Sequence, residues 1–263
     1  MAIITISRGT LRGAQALAEC AAARLGYRCI SRELVINAME WYGEPMDVPR
    51  EPEDQLSSLR SSLGGVPASY IDSFRAELCE YARGGNLVYH GYVGHLTLPN
   101  VPVLRVRVVA DMECRIDAAV RERGMTREAA ATYIERADRE RREWIRYLYG
   151  VEWDDITLYD VVFNLCHLSL DSACSTLVHM AQFDEFKQTP DSLKVIENLA
   201  LGGRVSRMLS WDPQVGNAAL KVAVDDGVVT IAGTASKEVA NALPLIVSKV
   251  GGVRKVESKV VIP

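Results

Sequence analysis

The sequence predicts an α/β protein in two parts, a parallel sheet flanked by helices followed by a small α+β domain. Three observations carry this. The chain opens on a β-branched strand, a glycine-containing loop and an alanine-rich helix, the unit from which doubly wound sheets are built. Near residue 200 the apolar pattern changes from helical spacing to alternation. Lysine usage also divides the chain: all seven lysines lie from Lys187 onward, whereas residues 1–186 carry 20 arginines and 27 acidic residues. Residues 201–263 have a net charge of +3 against −7 for residues 1–186, so the parts differ in electrostatic character.

With 263 residues, 48% of them hydrophobic, the chain can bury a sizeable core. No apolar run approaches the ~20 residues that span a bilayer. "MAIITISRG" has no basic stretch followed by a long apolar one, so the expected location is the cytoplasm. No nucleic-acid partner is expected. Cys20, Cys29, Cys79, Cys114, Cys166 and Cys174 are scattered without a CxxC pair and read as buried reduced thiols. His90 with His95, and Cys166 with His167, lack a further ligand at zinc-site spacing, so no metal site is expected.

"AIITISR" reads as a buried strand, and "GAQALAECAAARLGY" places Ala14, Leu17, Ala18, Ala21 and Leu25 on one helix face, ended by Gly26. In a strand-loop-helix unit the backbone N–H groups and the helix N-terminus can hold an anion. Gly9, Thr10, Leu11, Arg12, Gly13, Ala14 and Gln15 are therefore the candidate phosphate-binding residues, although any ordinary β-loop-α unit looks similar. Residues 44–68, rich in Pro, Ser, Gly and acid, read as a mobile loop. "ASYIDSFRAELCEYARGG" reads as a helix with Ile71, Phe74, Leu78 and Tyr81 inward and Gly84 at its end. "QTPDSLKVIENLALGG" reads as a helical connector. Beyond it, "LKVAV", "VVTIAG" and "KVESKVVI" alternate as strands, and Asp225 to Gly227 form a hairpin turn. A helix capped by Ser236 follows, in which Pro244 should cause a kink or mark a shifted start. The expected boundaries are 1–186, a connector over 187–202, and 203–263.

Several segments over residues 3–180 resemble, in order, the cytidylate kinase-like P-loop proteins. "ISRELV" resembles the segment after the first helix, and "NLVYHGYVGHLTL" a core strand with its glycine turn. "VLRVRVVADMECRIDAAV" is similar to the strand ending at Asp111, with Arg115 beyond it. "MTREAAATYIERADRERREWIRYLYGVEWDD" resembles the lid helix and "YDVVFNL" the last strand. The resemblance implies ATP and Mg²⁺ as cofactors, a nucleoside monophosphate as acceptor, and lid arginines that neutralise phosphate charge. Arg12, Arg115, Arg136 and Arg141 are the catalytic candidates. An exposed helix with i,i+4 pairs Glu135 with Arg139, Asp138 with Arg142, and Arg139 with Glu143 would account for the same lid charges without a ligand.

The chain departs from that family at its phosphate site. Leu11, Arg12, Gly13, Ala14 and Gln15 stand where the loop usually reads Gly-Ser-Gly-Gly-Arg, and residues 1–186 hold no lysine. Ser31 replaces an aspartate and Tyr92 an arginine. Asp111 can be read as a Mg²⁺ ligand or, with better reason, as a helix N-cap. Residues 203–263 resemble a BON domain through Asp226, Gly227, Val228, Val229, Gly233, Gly252, Val253 and Val256. That resemblance implies a binding module for a protein partner or an ion. The expected function is thus a degenerate nucleotide kinase-like protein, binding a nucleotide or other anion and acting as a regulatory module. The alternative is an active cytidylate kinase using ATP.

Overall fold

The computed structural model describes residues 1–9, 13–41, 68–92, 94–215 and 218–262. The chain forms two compact units, Met1–Val66 with Gly84–Gln188, and Pro67–Arg83 with Thr189–Pro263. Residues 44–67 of the expected mobile loop lie outside the described residues.

The first unit is a parallel sheet of β1 (Ile3–Ser7), β2 (Arg28–Ser31), β3 (Leu87–Gly91), β4 (Val103–Val109) and β5 (Val161–Asn164), in the order β2-β3-β1-β4-β5. Every residue of β1 and β3 is buried, as continuous apolar strands covered on both faces require. Ile3 pairs with Leu87 on one side and Val103 on the other. The helices are α1 (Gly13–Leu25), α2 (Arg32–Trp41), the single turn α4 (Gly94–Thr97), α5 (Met112–Arg123), α6 (Arg127–Tyr149) and α7 (Leu170–Met180).

Small side chains let α1 approach the sheet closely. Ala14, Ala18, Ala21 and Ala22 join Leu17 against Ile4, Ile6, Val88, Leu104 and Val106, with Leu177 of α7 completing the layer. Gly26 ends α1 at φ +67°, the left-handed conformation expected of it. Residues 187 and 188 return to the start of β1: Lys187 bridges Ala2, and Gln188 N–H donates to Met1 O. The expectation of reduced thiols is corrected for four cysteines. Cys20 is paired with Cys174 and Cys114 with Cys166, each pair with Cα atoms 6.2 Å apart, while Cys29 and Cys79 are free. These partners lie 154 and 52 residues apart, so only the fold brings them together. Burial pushes the Cys79 thiol up to about 12.

In the second unit α3 (Ala68–Ala82) lies along α8 (Pro190–Trp211), and β6 (Ala219–Asp225), β7 (Val228–Thr234) and β8 (Lys255–Val261) form a sheet with α9 (Lys237–Val247). The boundaries expected from the sequence place α3 in the first domain and a connector over 187–202. In the structure most of that connector and the start of the following domain are one helix, nucleated by a capping box between Thr189 and Ser192. A Cβ at Gly203 would sit 2.5 Å from Asp72 O and 2.6 Å from Ala76 Cβ, so glycine is what allows α3 and α8 to touch.

β6 and β7 run antiparallel and β7 and β8 parallel. Asp226 (φ 46°) and Gly227 (φ 75°) make the two-residue turn with both angles positive, matching the right-handed twist of the hairpin. Ser236 caps α9 by accepting from Val239 N–H, and the helix runs three residues past Pro244. At the end of α3 it is Gly85, not Gly84, that takes a positive φ. Among the described residues no helix is long and apolar enough to cross a membrane.

Candidate functional site

The carboxyl ends of β1, β4 and β5 open onto a cleft of about 510 Å³, lined by residues from the loop after β1, the N-terminus of α1, β4, α5, α6 and the segment before β5. This is where the strand order reverses direction around β1, the usual ligand position in an open α/β sheet. Gly9, Gly13 and Ala14 line it, and α1 carries no acidic residue in its first turn. A Cβ on Gly13 would meet Leu165 Cδ1 at 3.0 Å, so glycine keeps the helix start close to the strand behind it. Thr10, Leu11 and Arg12 lie outside the described residues. Gln15 pairs along the helix with Glu19 at 2.8 Å and is not among the cleft residues.

Cleft charge is balanced. Arg107, Arg115, Arg121 and Arg142 face Asp117, Glu122, Asp138 and Asp154, four of each sign. Arg107, almost wholly buried on β4, stacks 4.3 Å over the Trp153 ring and donates to Trp153 O and to Asp154 Oδ1, the latter at 2.5 Å. Arg142 Nε donates to the other Asp154 oxygen at 2.5 Å. Burial opposes ionisation of Asp154, yet these arginine hydrogen bonds hold its carboxyl below the usual aspartate range. Trp153 is fixed by its indole N–H, which donates to Ser7 Oγ at 3.0 Å.

Arg115 donates two bonds to Asp138, at 2.7 and 2.8 Å. Arg141 donates to the same carboxylate at 2.9 Å, and its guanidinium lies between the rings of Tyr92 (4.7 Å) and Trp153 (4.8 Å). The Arg141 side chain is only 1% exposed. The arginine expected in a movable lid is thus buried between two aromatic faces, Tyr92 and Trp153, that lie outside its own helix. Arg136 is exposed, pairs with Glu140 at 2.9 Å and does not line the cleft. The expected pair of Asp138 with Arg142 does not form: Asp138 takes Arg115 and Arg141, and Arg142 takes Asp154.

Arg107 was missed from the sequence. Its only signal was an arginine at a position of β4 whose neighbours Val106 and Val108 are buried. Tyr92, at the expected arginine position, is itself ringed by cations, with Arg8 at 5.7 Å and Arg32 at 5.3 Å from its centroid. Arg8 also pairs with Glu33, whose carboxyl is held low by Arg8 although burial opposes it. Nearby in β3 and α4, burial lowers His90 and His95 to about 4, aided by Arg8 and Arg105 respectively. Neither ring nitrogen of His95 has a hydrogen-bond partner among the described residues.

Among the described residues, the carboxylates Asp138, Asp154 and Asp111 near the cleft already make hydrogen bonds within the chain, Asp111 with one of its two oxygens. Asp138 and Asp154 are committed to arginines, and Asp111 is the N-cap of α5, accepting from Cys114 N–H at 2.9 Å.

A profile described as the cytidylate kinase-like family matches residues 3–167, and a BON domain profile matches residues 200–263. A cytidylate kinase of Methanoculleus marisnigri is 31% identical over 111 residues, which are 42% of this chain and 59% of that protein. A cytidylate kinase of Methanopyrus kandleri is 32% identical over 89 residues, 33% of this chain and 45% of that one. The matched stretch thus spans about half the length of these relatives. An uncharacterized protein of Eubacterium ventriosum superposes with a TM-score of 0.54 at 16% identity, covering 68% of this chain and 97% of its own, which supports the fold alone. The match over most of the first unit, on a parallel sheet of this strand order, makes the chain a member of the cytidylate kinase-like family that also carries a BON domain over residues 200–263.

Proposed function

We propose that the first unit is a degenerate nucleotide kinase-like fold that binds a phosphate-bearing anion, such as a nucleotide, in the arginine cleft without transferring a phosphoryl group. The BON domain then serves as the partner-binding module of a regulatory protein. One observation supports this reading above others: three of the four cleft arginines, Arg107, Arg115 and Arg142, are already paired with Asp138 or Asp154. Phosphoryl transfer needs preorganised positive charge aimed at the transferring group. At those three arginines an incoming anion has to displace a carboxylate first. The α1 N-terminus, the exposed Arg121 and the half-exposed Arg142 at the cleft are the groups available to the anion.

No step is assigned to Mg²⁺, because Asp138 and Asp154 are paired with arginines. The residues act by charge alone: Arg142 swings from Asp154 to a phosphate oxygen, while Arg107 stays wedged on Trp153 and keeps the cleft wall in place.

Calorimetric titration of the full chain with ATP, CMP and inorganic phosphate tests this. Asp154→Asn removes the competing charge and should tighten anion binding by roughly 5- to 10-fold, whereas Arg142→Ala should weaken it. Unchanged affinity in both variants would remove the cleft from the functional account. Conversion of CMP to CDP at ordinary kinase rates would select the active-kinase reading, which the names of the archaeal relatives favour.

A further inference from the structure

Among the described residues one group of three metal-ligating side chains comes together, Asp111, Cys114 and Cys166, with ligand atoms all within 4.8 Å of one another. We infer that, when the cysteine pair is reduced, these three residues form a binding site for a borderline-soft divalent cation of the Zn²⁺ type. The site is independent of the anion-binding reading, and its donors are two thiolate sulfurs and one carboxylate oxygen, a set suited to Zn²⁺.

Each donor is held by backbone geometry. Cys114 is the third residue of α5, which fixes its side chain beside the Asp111 cap. Asp111 spends one oxygen on the cap, Oδ1 accepting from Cys114 N–H at 2.9 Å, which leaves Oδ2 for a metal. Cys166 follows β5 in a turn pinned by its own N–H to Asn164 Oδ1 at 3.0 Å. With Cα atoms 6.2 Å apart, the cysteines can bond to each other or share an ion. Two sulfurs on one tetrahedral Zn²⁺ lie about 3.8 Å apart, so side-chain rotation suffices to pass between the states.

Charge and access agree with this assignment. Two thiolates and a carboxylate around Zn²⁺ leave a net single negative charge, and Arg115, Arg121 and Arg142 line the same cleft as Cys114 and Cys166. Three protein ligands leave the fourth position to water from the cleft. The Cys20–Cys174 pair differs: Cys174 is fully buried in the core, and no third ligand gathers beside it among the described residues. The chemistry balances simply. A phosphine or dithiol reductant supplies two electrons to the Cys114–Cys166 bond, giving two thiols, and the cation displaces both thiol protons to solvent.

The test uses the full chain reduced with a phosphine and titrated with Co²⁺, then with Zn²⁺. The expected result is one equivalent of Co²⁺ with sulfur-to-cobalt charge-transfer absorption, which Zn²⁺ bleaches. Cys114→Ser and Cys166→Ser should each lose that absorption and Asp111→Asn weaken uptake, while Cys29→Ser retains it. Because a variant can fail to fold, the unmodified protein supplies a second reading: prior oxidation should abolish uptake and re-reduction restore it. Absence of the absorption in reduced protein would overturn the site, as would its persistence in folded Cys166→Ser or equal uptake by oxidised protein.

Discussion

Arg141 and Arg136 lie five residues apart on α6, and their surroundings differ almost completely. Arg136 is half-exposed beside Glu140, whereas Arg141 is enclosed by Asp138, Tyr92 and Trp153. Arg141→Ala removes one of the two arginines paired with Asp138 and leaves space between two rings, so it should cost about 2–4 kcal/mol. Arg136→Ala should cost less than about 0.5 kcal/mol. Urea unfolding of both variants checks the contrast, and equal small losses would mean that Arg141 is not enclosed as described. The sequence could not separate the two because the aromatic neighbours that enclose Arg141, Tyr92 and Trp153, are not on the helix. Asp111, by contrast, was legible as an N-cap, because a cap depends only on the next three residues. His90 and His95 give the pH dependence. Their folded values lie near 4, mainly through burial, against about 6.5 in the unfolded chain. Between those values the unfolded state binds more protons, so stability falls as pH drops from 6.5 towards 4, by up to ~3 kcal/mol per histidine. Urea midpoints measured across that range should decline, and a flat profile would contradict the burial of both rings.

At the scale of elements, adjacent glycines on α8 make opposite demands. A methyl group at Gly203 would collide with α3, while one at Gly202 would only touch Val224 Cγ2 at 3.5 Å. Gly203→Ala should therefore destabilise by about 1–3 kcal/mol, and Gly202→Ala should stabilise by up to ~1 kcal/mol through helix propensity. Thermal unfolding of the two variants reads the signs directly, and two stabilising substitutions would mean that α3 and α8 do not pack through Gly203. Local elements were readable: the strands, the Asp226–Gly227 turn and the Ser236 cap are each specified by residues within a few positions. The two cysteine pairs and the partnership of α3 with α8 were not, since each joins segments more than 50 residues apart that carry no shared spacing signal.

For the whole molecule, the order of strands and the change of pattern near residue 200 were enough to indicate both families, and the profile matches over residues 3–167 and 200–263 agree with that reading. The cleft was only partly legible. Gly9, Gly13 and Ala14 of the expected loop line it, but its arginines are arranged by Asp154 and Trp153, which the fold brings to Arg107 from a different segment. Positive charge counted along a helix says little about positive charge available to a ligand. In the proposed function this cleft admits a phosphate-bearing anion and performs no transfer. Phosphorus NMR of the full chain with ATP, Mg²⁺ and CMP reads both halves of that claim at once. The ATP resonances should shift or broaden on adding protein and remain those of ATP. Resonances unaffected by the protein would contradict binding, and ADP with CDP accumulating at ~1–100 per second per molecule would contradict the absence of transfer.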